Sequence, residues 1–334
     1  MVDHIEVDAF VKVLGDDTGG MSKPVHVIGS DGKEYLLKNQ NVYNESSKDW
    51  EYWDCMFLQE VLVYRIAKYL EITVPECAIA SVDQIFIDQA PSLRFTHRYV
   101  PGYHFASNVI EGVENNLMSG YLNLMSAGKK YMKRPWNNFF NNIANKEDVA
   151  KIIVLDLLTA NFDRFGNTGN LLIASTDGTR KVYCIDHGHC FYGPAWRNIH
   201  KQDMMRSVNE PHYINAWANA LVQNSGHSVP MSGLGEVFRA LDQFIDVSDP
   251  DNHCFYSVVH LVENITSEQI DLWFEGMPSE WFIDRNEQMA YYKFFILNNK
   301  NRIRQYISIM ASQGAFHSYL GGEFQWSEKP TGTQ

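Results

Sequence analysis

The chain has 334 residues, of which 45% are hydrophobic, 13% aromatic and 20% charged. This length and balance are typical of a globular protein with two ordinary domains or one large domain divided by a cleft, and they exclude a disordered or fibrous chain. The formal net charge of -12 argues against a nucleic-acid-binding protein, because phosphate backbones are held by an excess of Lys and Arg.

The cysteines and the N-terminus indicate the cellular compartment in which the protein is expected. The five cysteines are odd in number and include no Cys-x-x-Cys pair, which predicts reduced thiols and neither a disulfide framework nor a zinc ribbon. The acidic start, residues 1–10, has no apolar run of signal-peptide length. No stretch approaches the ~20 apolar residues of a membrane-spanning helix. We therefore expect a cytoplasmic protein with no membrane partner.

The first hundred residues are expected to form a β-rich N-terminal lobe, residues 1–100, with one helix. Short β-type runs occur at 5–14, 24–28 and 34–39. The segment Gly29-Ser30-Asp31-Gly32 between the last two runs is a hairpin signal, so these runs predict a small antiparallel sheet.

A helix follows at residues 50–70, where apolar residues recur at helical spacing. Glu60 lies in this apolar stripe, and burying a carboxylate is costly unless it meets a cation. Lys38, at the end of the strand run 34–37, is a candidate partner. The alternatives are that Glu60 reaches water at the margin of the stripe and that Lys38 is a solvated edge residue. Residues 78–87 and 93–99 resume β character.

At Pro101-Gly102 the sequence changes from short β-type runs to longer helical patterns. This change predicts the start of a mainly helical C-terminal lobe, residues 101–325, followed by a polar tail, 326–334. Asn145 is a candidate N-cap for a helix that continues to Leu158. A loop at 161–170 and two strands follow it. The two strands are predicted at 171–174 and 181–185, and further helices at 232–244, 267–274 and 286–310.

The loop and the two strands carry the residues that phosphoryl transfer requires. That reaction needs a cation for the nucleotide phosphates, oxygen ligands for Mg²⁺ and a carboxylate to receive the proton of the acceptor hydroxyl. A hairpin of this length brings Asn170, at its start, close to Asp186, at its end. Both could then hold one metal ion while Asp163 faces the substrate. Either half alone is also consistent with a polar turn and an ordinary strand end.

Gly19, Gly20, Ser22 and Lys23 belong to a flexible loop between two β-runs. Its backbone amides could approach phosphates, with Lys23 as an additional charge. The loop matches neither a Walker P-loop nor Gly-x-Gly-x-x-Gly, and adjacent glycines also occur in plain turns.

His187, His189 and Cys190 beside Asp186 raise the alternative of a zinc or iron site. Successive side chains at a strand end point to opposite faces, which disfavours convergence of these residues on one ion.

Together these motifs resemble HipA-like kinases. The resemblance covers most of the chain and is carried by the following segments: Gly19-Gly20-Met21-Ser22-Lys23-Pro24, Glu34 to Lys38, the helix with Glu60, Arg98-Tyr99-Val100-Pro101-Gly102, Asn161-Phe162-Asp163-Arg164, Asn170-Leu171-Leu172, Ile185-Asp186-His187-Gly188 and Pro278-Ser279-Glu280-Trp281. It implies an α+β, bilobal protein-kinase-like fold that binds ATP and Mg²⁺.

The resemblance also implies residue roles. Lys38 would contact the α/β-phosphates, Glu60 would pair with it, and Asp163 would be the catalytic base. Asn170 and Asp186 would be the metal ligands. In protein kinases the metal-binding Asn follows the catalytic Asp by about five residues. Here Asn167 follows Asp163 by four positions and Asn170 by seven, so Asn167 stays as the alternative ligand.

Arg98 and Tyr99 would form the adenine-binding hinge of such a fold. A plain crossing between domains is equally consistent with these two residues.

The function favoured by these motifs is an ATP- and Mg-dependent kinase, with a protein Ser or Thr hydroxyl as acceptor by analogy with HipA. A lipid or small-molecule kinase, or a pseudokinase that acts through a partner, are the alternatives, and a metal hydrolase is a more distant one. The sequence identifies neither the acceptor nor a protein partner.

Overall fold

The computed structural model describes residues 2–14, 22–114, 128, 140–166, 170–206, 212–215 and 241–327. The strands are β1 (Asp3–Val13), β2 (Val25–Gly29), β3 (Glu34–Leu37), β4 (Asn41–Asn44), β5 (Asp49–Tyr52), β6 (Cys77–Val82), β7 (Gly102–Asn108), β8 (Leu171–Thr176) and β9 (Thr179–Cys184). The helices are α1 (Met56–Tyr69), α2 (Gln84–Gln89), α3 (Pro91–Phe95), α4 (Asp148–Thr159), α5 (Asp163–Gly166), α6 (Asn198–Met205), α7 (Tyr256–Glu263), α8 (Ser267–Phe274), α9 (Arg285–Asn299) and α10 (Ile303–Ser312).

Five strands form a closed barrel in the order β1-β2-β3-β7-β6. Neighbouring strands are antiparallel except for β1 and β6, which pair in parallel from Asp3–Ala78 to Glu6–Ser81. The prediction of an antiparallel sheet was therefore correct for the other pairings and wrong for this one. Between β3 and β6 the chain runs through β4, β5 and α1, and such a crossover allows β6 to lie parallel to β1.

The barrel has an apolar interior. Tyr35 and Leu37 of β3 are buried there with Val25 and Val27 of β2. Because successive side chains of a strand point to opposite faces, Lys38 lies on the outer face, toward α1.

A second core lies outside the barrel. It contains the apolar side of α1, the outward-facing Phe105 of β7 and the apolar sides of α4, α7, α8 and α10. The sheet includes β7, so it continues past residue 101, where the sequence predicted the boundary between lobes. The chain then leaves the barrel through residues 109–114, and Val113 bridges Ala174 of β8.

Two predicted β runs, 78–87 and 93–99, are partly helical in the structure. After β6 ends at Val82 the chain forms α2 and α3, so the first hundred residues contain α1, α2 and α3 and not one helix. The side chain of Asp83 caps α2 by accepting from the Phe86 amide, and Pro91 begins α3, as these residue types favour.

The helix expected at 286–310 is divided into α9 and α10 by a 3₁₀ turn at Lys300–Arg302. Of the helix predicted at 232–244 the structure describes only residues 241–244, in which Asp242–Phe244 form a 3₁₀ turn.

Asn145 does not cap α4, which begins at Asp148. Its side-chain amide instead donates to the Val182 carbonyl and accepts from the Val182 amide, at 2.9 Å each. This contact fixes α4 against β9.

The segment Pro278-Ser279-Glu280-Trp281 joins the helical part to the barrel. Glu280 Oε1 accepts from the Tyr103 amide at 2.8 Å, and Trp281 Nε1 donates to the Tyr103 carbonyl at 2.9 Å.

Candidate functional site

Lys38 forms the centre of the site. Its Nζ lies 2.5 Å from Glu60 Oε1 and 2.9 Å from Asp186 Oδ1. Lys38 directly follows β3, Glu60 lies in α1 and Asp186 lies in the segment after β9. Their side chains are exposed by 12%, 2% and 27%. The structure thus brings together three residues that lie far apart in the sequence.

The charges of this cluster stabilise one another. Burial by itself would lower the pKa of Lys38, but the carboxylates of Asp186 and Glu60 raise it above its usual value. Burial would raise the pKa of Asp186, but the Lys38 ammonium lowers it below its usual range. Both groups are therefore ionised at neutral pH.

Glu60 also binds backbone amides. Its Oε2 accepts from His187 N–H and its Oε1 from Gly188 N–H, both at 3.1 Å. Burial raises the pKa of Glu60, and the charge of Lys38 and the His187 amide oppose this shift. A carboxylate with these donors connects α1 directly to the segment that carries Asp186.

The β8–β9 hairpin places Asn170 beside Asp186, as the sequence predicted. Leu171 pairs with Cys184, and one position further out Ile185 N–H donates to the Asn170 carbonyl at 3.2 Å. Asp186 follows with a φ of 60°, in the left-handed region.

Asp163 begins α5 and lies next to Asn170. Asn170 Nδ2 donates to Asp163 Oδ2 at 2.9 Å, and the Asp163 amide donates to Asn161 Oδ1 at 3.2 Å. The structure thus joins the side chains of Asp163 and Asn170. Asn167, the alternative ligand, lies outside the described residues.

The proposed phosphate loop is only partly described. Gly19 and Gly20 lie outside the described residues. Ser22 and Lys23 line a cavity of about 290 Å³, together with Asn39 and the aromatic residues Tyr43 and Trp50. Of these residues, Asn39 directly follows Lys38 in the chain.

The structure does not bring the side chain of Tyr99 or Arg98 to Lys38. Tyr99 is 3% exposed in the barrel core, and its hydroxyl donates to the Leu37 carbonyl at 2.8 Å. The Arg98 guanidinium lies over the Trp50 ring, 4.4 Å from its centroid. Both residues precede β7, whereas the chain leaves the barrel after β7. The lobe boundary at residue 101 and the hinge role of these two residues stay predictions.

His187 and His189 have other partners. His187 Nδ1 faces the Arg164 guanidinium at 3.2 Å, and His189 packs edge-on against Trp53. Cys190 is buried, and burial raises the pKa of its thiol. Over the described ranges, no group of three or more His, Cys, Asp and Glu residues could hold a metal ion. The zinc or iron alternative gains no support.

The oxygen ligands that remain suit a hard cation. Asp186 offers a carboxylate and Asn170 an amide whose Nδ2 is already bound to Asp163, which leaves Oδ1 as its metal-binding atom. Carboxylate and amide oxygens are the ligand types of Mg²⁺. These residues therefore fit the metal that the sequence predicted.

Arg164 is a residue of this site to which the sequence analysis assigned no role. It is fully buried and contacts Asp156, the carbonyls of Asn170 and Ile185, and His187. The sequence feature that could have indicated a role for Arg164 is its position as a charged residue directly after Asp163 in the motif.

Comparison with known proteins yields structural neighbours only. No family model matches the sequence, and no curated protein matches it. In the part of the chain that the structure describes, no helix has the length and apolar character needed to span a bilayer.

Three solved structures resemble the fold. The proinflammatory kinase CtkA of Helicobacter pylori is 14% identical, with 93% of this chain and 96% of that chain covered and a TM-score of 0.49. HipA of Shewanella oneidensis MR-1, solved with HipB and operator DNA, is 12% identical, with 84% and 59% covered and a TM-score of 0.36. A Golgi casein kinase with Mn/ADP bound is 12% identical, with 81% and 74% covered and a TM-score of 0.31.

Two of these neighbours are described as kinases and the third as the HipA protein of a toxin–antitoxin system. Likeness at this level of identity carries no conclusion about activity.

Proposed function

We propose that this protein is an ATP- and Mg²⁺-dependent phosphotransferase of the kinase type. The observation that carries the proposal is the Lys38 ammonium held between the Glu60 and Asp186 carboxylates. In protein kinases a strand lysine paired with a helix glutamate, and a metal-binding aspartate, must all be in place for transfer. Here the same residue types converge from β3, α1 and the end of β9.

Each residue then has a role in transfer. Lys38, charged at all working pH values, would hold the α/β-phosphates, and Glu60 would orient it. Asp163 would accept the proton of the acceptor hydroxyl. Asn170 and Asp186 would hold Mg²⁺, which when bound neutralises charge developing on the transferred phosphoryl group.

The fold supports a two-lobed arrangement for this site. The barrel would be the N-terminal lobe and would extend to Asn108, and the helices from α4 onward with the β8–β9 hairpin would be the C-terminal lobe. Lys38 comes from the first part, and Asp163, Asn170 and Asp186 come from the second. A nucleotide bound between them would contact both.

A protein Ser or Thr hydroxyl is the proposed acceptor, by analogy with HipA-like kinases. A pseudokinase that holds nucleotide and acts through a partner is the second candidate. The Asn170–Asp163 hydrogen bond favours an active enzyme, since it orients the proposed base beside a proposed metal ligand.

The test is incubation with γ-labelled ATP and Mg²⁺, followed by measurement of autophosphorylation and ATP turnover. We expect Asp186→Asn to abolish Mg-dependent nucleotide binding, and Asp163→Asn to lower transfer by about 10²-fold or more with binding kept. Asp177→Asn is a matched control, because Asp177 is exposed in the β8–β9 turn, at the opposite end of the hairpin.

Nucleotide binding without transfer in the wild-type protein would favour the pseudokinase. Unchanged Mg-dependent ATP affinity in Asp186→Asn would refute the assigned site.

A further inference from the structure

Arg164 is the largest fully buried side chain among the residues that the structure describes. Its Nε donates to both carboxylate oxygens of Asp156 on α4, at 2.9 and 2.8 Å. Both side chains have 0% exposure. Ions this deeply buried lose most of their hydration, and apolar side chains of similar volume often stabilise a core as well or better. Packing alone therefore does not account for the pair.

The Nη1 nitrogen of Arg164 binds the open end of the β8–β9 hairpin. It donates to the Asn170 carbonyl at 2.7 Å and to the Ile185 carbonyl at 2.6 Å. The strand ladder ends nearby, at the Leu171–Cys184 pair. One nitrogen thus ties together the two chain segments that carry Asn170 and lead into Asp186.

Asp186 needs such support because its backbone is strained. Its φ of 60° is unfavourable for a residue with a side chain, and such conformations persist where the surroundings fix them. On its N-terminal side the Ile185 carbonyl is held by Arg164. On its C-terminal side the amides of His187 and Gly188 are held by Glu60.

The remaining guanidinium nitrogen of Arg164 determines the tautomer of His187. Nη2 lies 3.2 Å from His187 Nδ1, which must accept, so the ring proton resides on Nε2. A guanidinium can serve a carboxylate, two carbonyls and an imidazole together, which an ammonium cannot.

We infer that Arg164 is a positioning residue. It holds the Asn170 and Ile185 carbonyls together and thereby sets the spacing between Asp163, its neighbour in the chain, and the candidate metal ligands Asn170 and Asp186. The link to phosphotransfer rests on the proposed function. The hydrogen bonds from Arg164 to the Asn170 and Ile185 carbonyls are a property of the fold, and their effect is measured separately.

The test compares Arg164→Lys with the wild-type chain in two measurements. Hydrogen exchange of the Ile185, His187 and Gly188 amides is expected to accelerate about tenfold or more, because a charged hydrogen bond is lost. Exchange at Val182, within β9, should change less than about twofold.

The second measurement is ADP binding with and without Mg²⁺. We expect the apparent Mg²⁺ affinity to fall about tenfold, with metal-free ADP binding kept within about twofold. Arg302→Lys is the matched control, because Arg302 is 5% exposed in the turn between α9 and α10 and takes no part in the site.

Asp156→Asn is a second variant in case Arg164→Lys does not fold. This variant retains Arg164 and its contacts to the carbonyls, but it replaces the charged Asp156 carboxylate that binds Arg164 Nε with a neutral amide. A smaller acceleration of exchange, about threefold, is expected at the same amides.

Unchanged exchange at these amides, or equal acceleration at Val182, would overturn the inference. Local acceleration with unchanged Mg²⁺ affinity would also overturn it, because the spacing of the ligands would then not depend on Arg164. Absence of nucleotide binding in the wild-type protein refutes the proposed function instead, and exchange still reports the hold of Arg164 on the hairpin.

Discussion

His104 connects the barrel core to the backbone of Lys38. It is 3% exposed, with Nδ1 3.0 Å from the Lys38 carbonyl and Nε2 2.8 Å from the Val100 carbonyl. Burial lowers the pKa of His104 from 6.5, and the two carbonyls oppose this shift. At pH values near and below 6.5, His104 is therefore protonated to a smaller extent in the folded protein than in the unfolded chain.

This difference predicts a pH dependence of stability. Below pH 6.5 the unfolded state binds more protons, so the free energy of unfolding falls with falling pH, by at most about 1.4 kcal/mol per pH unit from this group. Urea unfolding at several pH values between 7.5 and 5 should show a shallower slope for His104→Gln than for wild type. His4→Gln, at an exposed position of β1, is the control for loss of a histidine. Equal slopes for His104→Gln and wild type would contradict the prediction.

Single residues of the site could be predicted from the sequence where burying their charge without a partner would cost free energy. Glu60 in an apolar stripe required a cation, and Lys38 is that cation. The contacts of Arg164 were not predictable, because they depend on carbonyls from two distant segments. The burial of the Tyr99 ring in the barrel could not be predicted from the residues around it, and its role in an adenine-binding hinge stays a prediction.

At the scale of elements, α1 packs directly against the segment after Asp186. A Cβ on Gly188 would lie 2.6 Å from Met56 Cγ and 3.3 Å from Glu60 Oε1. The absence of a side chain at Gly188 therefore allows the Glu60 carboxylate to reach the Gly188 amide.

Gly188→Ala should displace α1 from this segment. We expect a loss of about 1–3 kcal/mol in the free energy of unfolding, as for other overpacked positions, together with reduced phosphotransfer. Met56→Ala in the same chain removes the closest contact and should restore part of the activity. Measuring urea unfolding and activity for both single variants and the double variant tests this. A double variant no more active than Gly188→Ala would show that Met56 is not the cause.

The hairpins were predictable, since their turn residues and strand lengths are local. Gly29 to Gly32 joins β2 to β3, and Asp177-Gly178 joins β8 to β9. The parallel pairing of β1 with β6 was not predictable, because it links residues far apart in sequence. The short helices α2 and α3 were missed because their apolar residues are too few to show a period.

At the scale of the whole molecule, nucleotide binding should stabilise the folded state. A ligand at about a hundred times its dissociation constant adds ~2.7 kcal/mol to the free energy of unfolding. For a chain of 334 residues this corresponds to a rise in Tm of about 4 °C. Thermal unfolding with ATP and Mg²⁺, compared with ATP and EDTA, measures it.

Lys38→Met is the variant for this measurement, since it removes the cation proposed to hold the phosphates. We expect its Tm to be unresponsive to ATP and Mg²⁺. An equal rise in Tm in this variant would place the nucleotide elsewhere in the protein.

The parallel closure of the barrel has a consequence for synthesis on the ribosome. β1 can pair with β6, its second neighbour, only after Ala78 to Ser81 have been synthesised. β7 must then be synthesised before the barrel closes between β3 and β6. Until then the sheet has unsatisfied edges, first on β1 and later on β3 and β6, and such an edge is a surface for pairing with other chains. Nascent chains stalled before residue 108 should thus be prone to association, and chains that extend beyond it should not.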